Sequence, residues 1–95
     1  MRELTFRDRE ELQDYIENEK NSMYEMIVSS IDTAYALNAE VANVVVFYVE
    51  DEDVYIDMIS ERDEWKSSLG LALNYYVESE MYEKCVKIKK LIDRL

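Results

Sequence analysis

One run of residues limits what this chain can become. Asn43-Val44-Val45-Val46-Phe47-Tyr48-Val49-Glu50 concentrates β-branched and aromatic side chains, which suit a pleated strand better than a helix. Asp53-Val54-Tyr55-Ile56-Asp57-Met58-Ile59 follows, with apolar and polar positions partly alternating. Asp51-Glu52 between them reads as a turn, so the pair is expected as an antiparallel hairpin. With Val49 opposite Val54, Phe47 faces Ile56 and Val45 faces Met58. That face is apolar and calls for a helix against it. The other face would carry Val44, Val46, Tyr48, Tyr55 and Asp57, a mixed set suited to partial exposure or a partner. A two-stranded hairpin is marginal without such packing.

The flanking segments have helical periodicity. Leu12, Tyr15, Ile16, Met23, Ile27, Ile31, Ala34 and Tyr35 recur at close to 3.6 residues, which predicts a long helix over 8–38. Thr5 or Asp8 would cap it. A break is allowed near Asn18–Ser22, because Asn and Ser are weak helix formers. Trp65, Leu69, Ala72 and Tyr76 share a stripe over 60–78, with Ser60 as a candidate N-cap. Met81, Cys85, Ile88, Leu91, Ile92 and Leu95 do so over 80–94, with a bend at Glu78-Ser79-Glu80. The expected fold is therefore α+β: a long N-terminal helix, a two-stranded antiparallel β-hairpin and two C-terminal helices. With no Pro and a single Gly70, no linker divides residues 1–95, and they are expected to form one acidic domain.

Composition removes several classes of chemistry. There is no His, hence neither the commonest general base nor the commonest transition-metal ligand. Cys85 stands alone, without a disulfide partner or a catalytic base. Its spacing to Ile88 and Ile92 suits a core position. No glycine-rich phosphate loop exists. Glu50-Asp51-Glu52-Asp53 lacks the alternating oxygens, central Gly and distal Glu of an EF-hand, and reads as a solvated turn. No catalytic residue, metal site or cofactor is expected, and the chain is not expected to be an enzyme. No apolar run approaches a membrane span and no signal peptide opens the chain, so a cytoplasmic protein is expected.

Charge is the outlying property. The chain has 22 Asp and Glu against 11 Lys and Arg, a net charge of −11. Residues 1–80 carry 20 acids and 6 bases, whereas residues 81–95 have a net charge of +3. Between Glu10 and Glu64 the only bases are Lys20 and Arg62. Such a surface repels nucleic acid and anionic membranes and attracts basic partners. Tyr-rich stacking on single strands would need a basic groove, which is missing. General solubility charge is the alternative explanation.

A sharper reading treats the carboxylates as a site. Carboxylates at i and i+4 of a helix lie about 6 Å apart along the axis, close to the roughly 6–7 Å between phosphates along a DNA strand. Glu10, Glu11, Asp14 and Glu17 would form one such group. Glu50, Asp51, Glu52, Asp53, Asp57, Glu61, Asp63 and Glu64 would extend it across the hairpin into the next element. Like charges held this close oppose folding, so solubility alone does not demand them.

A small chain rich in Asp, Glu and Tyr, without Pro or His, resembles the acidic Arn-like anti-restriction DNA mimics of tailed phages in size, charge and expected architecture. The likeness spans the whole chain and is one of type, without a diagnostic motif. It implies inhibition of a basic host DNA-binding protein, a restriction nuclease or nucleoid protein, by a homodimer in the host bacterial cytoplasm. The segment from Tyr76 to Ile92 also resembles the UVR helical hairpin. Glu80, Tyr82, Glu83 and Ile88 match its Glu-x-x-Tyr-Glu-x-Ala-x-x-Ile/Leu-Arg-Asp pattern, while Lys89-Lys90 replaces the Arg-Asp pair. That likeness covers the last quarter and implies a helical protein–protein adaptor instead.

Overall fold

In the computed structural model, which describes residues 2–95, the N-terminus begins as a strand. β1 (Glu3–Phe6) is followed by α1 (Arg9–Asn18), α2 (Lys20–Ala36), β2 (Val41–Val49) and β3 (Val54–Glu61). A single 3-10 turn (Arg62–Glu64) then leads into α3 (Trp65–Glu78) and α4 (Tyr82–Arg94). The sheet order is β1-β2-β3, with β1 parallel and β3 antiparallel to β2. The expected two-stranded hairpin is thus part of a three-stranded mixed sheet, and the expected fold needs correction there. β1 is four residues long and its partner lies about forty residues away, so no local period announces it. The Val46 amide donates to the Arg2 carbonyl at 2.9 Å and the Glu50 amide to that of Phe6 at 2.8 Å. The Arg2 guanidinium donates to the Val44 and Met26 carbonyls, tying strand to helix.

The expected long helix over 8–38 is also corrected: it is two helices. At Glu19 the backbone leaves the helical region, with φ −111° and ψ 47°. The Glu19 amide closes α1 on the Tyr15 carbonyl and the Met23 amide opens α2 on the Glu19 carbonyl, so the helical ladder is interrupted at the bend. The bend lets Leu12 of α1 and Met23 of α2 close on the same cluster, with Phe6, Val44, Val45, Phe47 and Val49. Asp8 caps α1 through Oδ1, which accepts from the Glu11 amide at 2.9 Å. Thr5, the other candidate, lies in β1.

The hairpin register agrees with the spacing argument at Val49↔Val54, Phe47↔Ile56 and Val45↔Met58. It slips between Asn43 and Val45, where Val44 has no partner on β3. This is a bulge, which places one extra residue on one strand and re-aims its side chain. Val44 and Val45 are consequently both buried. Val44 faces the core and not, as expected, the outer side.

Ser60 is likewise not an N-cap. It ends the core face of β3, and its carbonyl accepts from the Trp65 indole at 2.9 Å. α3 starts after the 3-10 turn, with Trp65 fully buried beside Ile31, Ala34, Ala42, Leu69, Ala72, Tyr76, Ile88 and Leu91. α1, α2 and α3 cover one side of the sheet, and α4 packs on α3 and α2. The shortest dimension of the molecule is 17 Å, close to one sheet and one helical layer. The other side of the sheet is bare.

Candidate partner-binding surface

The hairpin tip and the start of α1 are brought together. The Asp51 amide donates to the Arg7 carbonyl at 3.0 Å, and Arg9 Nε donates to Glu52 Oε2 at 2.6 Å. That bond, with the Glu52 charge, raises the Arg9 pKa. Arg7 lies 3.5 Å from Glu11 and 3.7 Å from Asp8. The arginines at this end therefore serve as clasps, and Glu10, Glu50, Asp51 and Asp53 remain unclasped around them. Further along α1, Asp14 and Glu17 are exposed, and Gln13 donates to Glu17 at 2.9 Å.

Strand alternation decides where the rest point. The outward positions of β1 are Glu3 and Thr5, those of β2 are Val41, Asn43, Val46 and Tyr48, and those of β3 are Tyr55, Asp57, Ile59 and Glu61. Glu3 and Asp57 flank Val46 in one row across the sheet, and Thr5, Tyr48 and Tyr55 form the next. No Lys or Arg occupies an outward position. Tyr48 and Tyr55 stack with ring centroids 4.6 Å apart. The Tyr48 hydroxyl donates to Asp53 Oδ1 at 2.7 Å, and that hydrogen bond is the main reason its pKa is pushed up to about 12.

At the far end of β3, carboxylate oxygens of Glu61, Asp63 and Glu64 come within 4.8 Å of one another, all on exposed residues. Arg62 between them turns away. It donates to Asn38 and to the Ala39 carbonyl, lies 3.6 Å from Glu40, and its guanidinium stacks 5.3 Å from the Trp65 ring centroid.

The expected single band is thus divided. Glu10, Glu11, Asp14 and Glu17 belong to the helical layer, joined to the tip residues Glu50 to Asp53. Asp57 and Glu61 lie on the bare face, and Asp63 and Glu64 lie beyond the strand at its base. The reasoning from sequence missed Glu3 and Ile59 on that face. The alternation of β3 contained the signal for Ile59, whereas Glu3 could not be placed without β1.

The basic helix α4 lies on the helical side. A cavity of about 450 Å³ between α2 and α4 sets Glu25 and Asp32 against Lys84, Lys87 and Arg94. Lys84 bonds Glu25 and sits 5.0 Å from the Tyr76 ring centroid. Part of the C-terminal positive charge is therefore matched within the molecule. Cys85 is half-buried against the core. Among the described residues no helix is long and apolar enough to cross a membrane.

Comparison with protein-family models, with curated proteins and with solved structures finds no match.

Proposed function

We propose that this protein is a non-enzymatic DNA-mimic inhibitor that occupies the DNA-binding site of a basic protein, in the manner of a phage counter-defence protein acting in the bacterial cytoplasm. The observation that carries the reading is the run of acids along β3, with Glu50, Asp51 and Asp53 at one end beside the Arg9–Glu52 pair, Asp57 midway, and Glu61, Asp63 and Glu64 at the other, and no Lys or Arg among the outward positions of the sheet. Asp57 and Glu61 lie four strand residues apart, about 13 Å. That is about twice the phosphate repeat, so these carboxylates would meet cations that otherwise neutralise alternate phosphates. A bound basic protein would lose its Lys and Arg contacts with DNA to the decoy, and the exchange would weaken as salt rises.

A competition gel shift with DNA and a purified basic nucleoid protein tests the reading. Excess of this protein releases free DNA at low salt and fails to do so at high salt. Reversing Glu10, Asp14 and Glu17 to Lys together with Asp57 and Glu61 abolishes release. DNA that stays bound at every excess, or release indifferent to all five reversals, overturns the proposal.

A further inference from the structure

A mixed sheet with one solvated face is ordinary, but this one is solvated in an unusual way. Its outward residues include Tyr55, 61% exposed, and Ile59, 51% exposed, alternating along β3 with Asp57 and Glu61. Neither carboxylate has an ion-pair partner among the described residues; the acids that do are Asp8, Glu11, Glu25, Glu40 and Glu52. Among the described residues the strand pairs with β2 alone, so its outer backbone edge has no neighbouring strand there. Bare edges of this length are usually defended against self-pairing, and acidic side chains on the edge strand are one defence. The same acids leave the edge open to a strand of opposite charge.

We infer that β3 and the bare face beside it dock an extended cationic segment of a partner protein, which adds as a fourth strand with Lys or Arg alternating with apolar residues. This inference rests on the proposed function only in taking the partner to be basic. Backbone hydrogen bonds to the β3 edge supply affinity, and alternate side chains supply specificity. On the outward side, cationic residues meet Asp57 and Glu61, and a guanidinium can lie over the Tyr55 ring, whose face attracts cations. Its apolar residues, on the opposite side of the added strand, face the helical layer beside Ile56 and Met58.

Charge and area choose this occupant over a second copy. A second copy brings its own Asp57 and Glu61 to an edge whose Asp57 and Glu61 have no ion-pair partner among the described residues, and like charges across strands are destabilising. The three-strand face measures about 26 Å by 14 Å. That is under half of the about 800 Å² per partner that stable globular interfaces bury. It suits a segment.

The test uses the full-length protein, labelled with ¹⁵N. The probe is a blocked peptide of alternating Arg and Val, as long as the 8 residues of β3. The control is a peptide of the same composition with its Arg and Val in separate blocks. The alternating peptide shifts and protects β3 amides and perturbs Val46 and Tyr48. It binds about tenfold or more weakly to Asp57→Lys/Glu61→Lys, and with reduced affinity to Tyr55→Ala. It binds undiminished to Glu78→Lys/Glu83→Lys, which makes the same change of charge at exposed positions of α3 and α4. Shifts confined to α1 or residues 62–64, equal binding of the block peptide, or unchanged affinity for Asp57→Lys/Glu61→Lys overturns the inference. Circular dichroism identifies any variant that fails to fold, and in that case Asp57→Asn/Glu61→Gln decides. If the peptide misses β3 while wild-type protein still displaces DNA from the nucleoid protein, this inference fails and the inhibitor reading stands. Peptide bound on β3 without displacement gives the reverse.

Discussion

At the scale of single residues, backbone conformation and residue type are mismatched at two points. Glu80 ends the loop after α3 with φ 59°, in the left-handed region that costs a residue with a Cβ roughly 1–2 kcal/mol. The Met81 amide closes the motif on the Tyr76 carbonyl at 2.9 Å, the arrangement in which Gly is the common choice. The chain's one glycine, Gly70, instead lies inside α3, where an added Cβ would meet nothing within 4 Å. Glu80→Gly and Gly70→Ala are therefore each expected to stabilise the fold by about 0.5–1 kcal/mol. Urea unfolding of the two variants measures this, and a lower midpoint for either contradicts the account. Tyrosine ionisation gives a second prediction. Tyr76, through burial and then the nearby Glu25, and Tyr48, through its bond to Asp53, are both raised from the ordinary 10.0 to about 12. A raised pKa means the folded state holds the proton more tightly. The stability it contributes is complete below pH 10 and is lost as pH rises towards 12. Tyrosinate absorbance during an alkaline titration should show two late-ionising groups, and Tyr48→Phe should remove one of them. Two late groups persisting in that variant would rule out the Asp53 bond as the cause.

At the scale of elements, α3 and α4 do not form an independent hairpin. The stripe of Trp65, Leu69, Ala72 and Tyr76 and the Ile88–Leu91 pair of α4 are spent on Ile31 and Ala34 of α2 and Ala42 of β2. Residues 60–95 alone would expose that stripe to water. Expressed separately, they are expected to give weak, non-cooperative helical circular dichroism, regained on adding residues 1–59. A cooperative thermal transition from 60–95 alone would restore the case for a free-standing C-terminal adaptor. The same dependence explains why the carboxylate groups lie where they do. The bend at Glu19 and the Arg9–Glu52 bond fold α1 back beneath the hairpin tip, and α1 takes its acids with it.

For the molecule as a whole, like charge is incompletely answered. Among the described residues five ion pairs engage five acids, out of 22 in the sequence, and exposed pairs of this kind contribute little each. Net repulsion should therefore dominate the electrostatics of folding. Added sodium chloride, by shortening the screening length, is expected to raise the thermal midpoint from its low-salt value. The same addition weakens any complex with a basic partner. Opposite salt trends in stability and in binding separate the charge carried for recognition from charge merely tolerated by the fold. A midpoint that falls with salt would mean that the ion pairs outweigh the repulsion.

Local chemistry was enough to determine part of this protein. The run from Val44 to Val49 could only be extended, and the alternation after Asp53 set the pairing of Val49 with Val54 and Phe47 with Ile56. The stripes from Trp65 to Tyr76 and from Met81 to Leu95 marked their helices, and the charge imbalance was plain from counting. What the tertiary structure alone decided depends on partners distant in sequence. Glu3 to Phe6 become a strand only because β2 supplies hydrogen-bond partners some forty residues away, and four residues have too short a period to announce it. Val44 turns inward because a bulge lets two neighbouring residues face one partner, which no alternating pattern encodes. The acidic residues were all visible in the sequence, but their division into a group on α1 and the tip, partly clasped by arginines, and an unpaired row on β3 was not. That division follows from which side of the sheet the helices cover, a choice made by the burial of the whole core and not by any of the acids themselves.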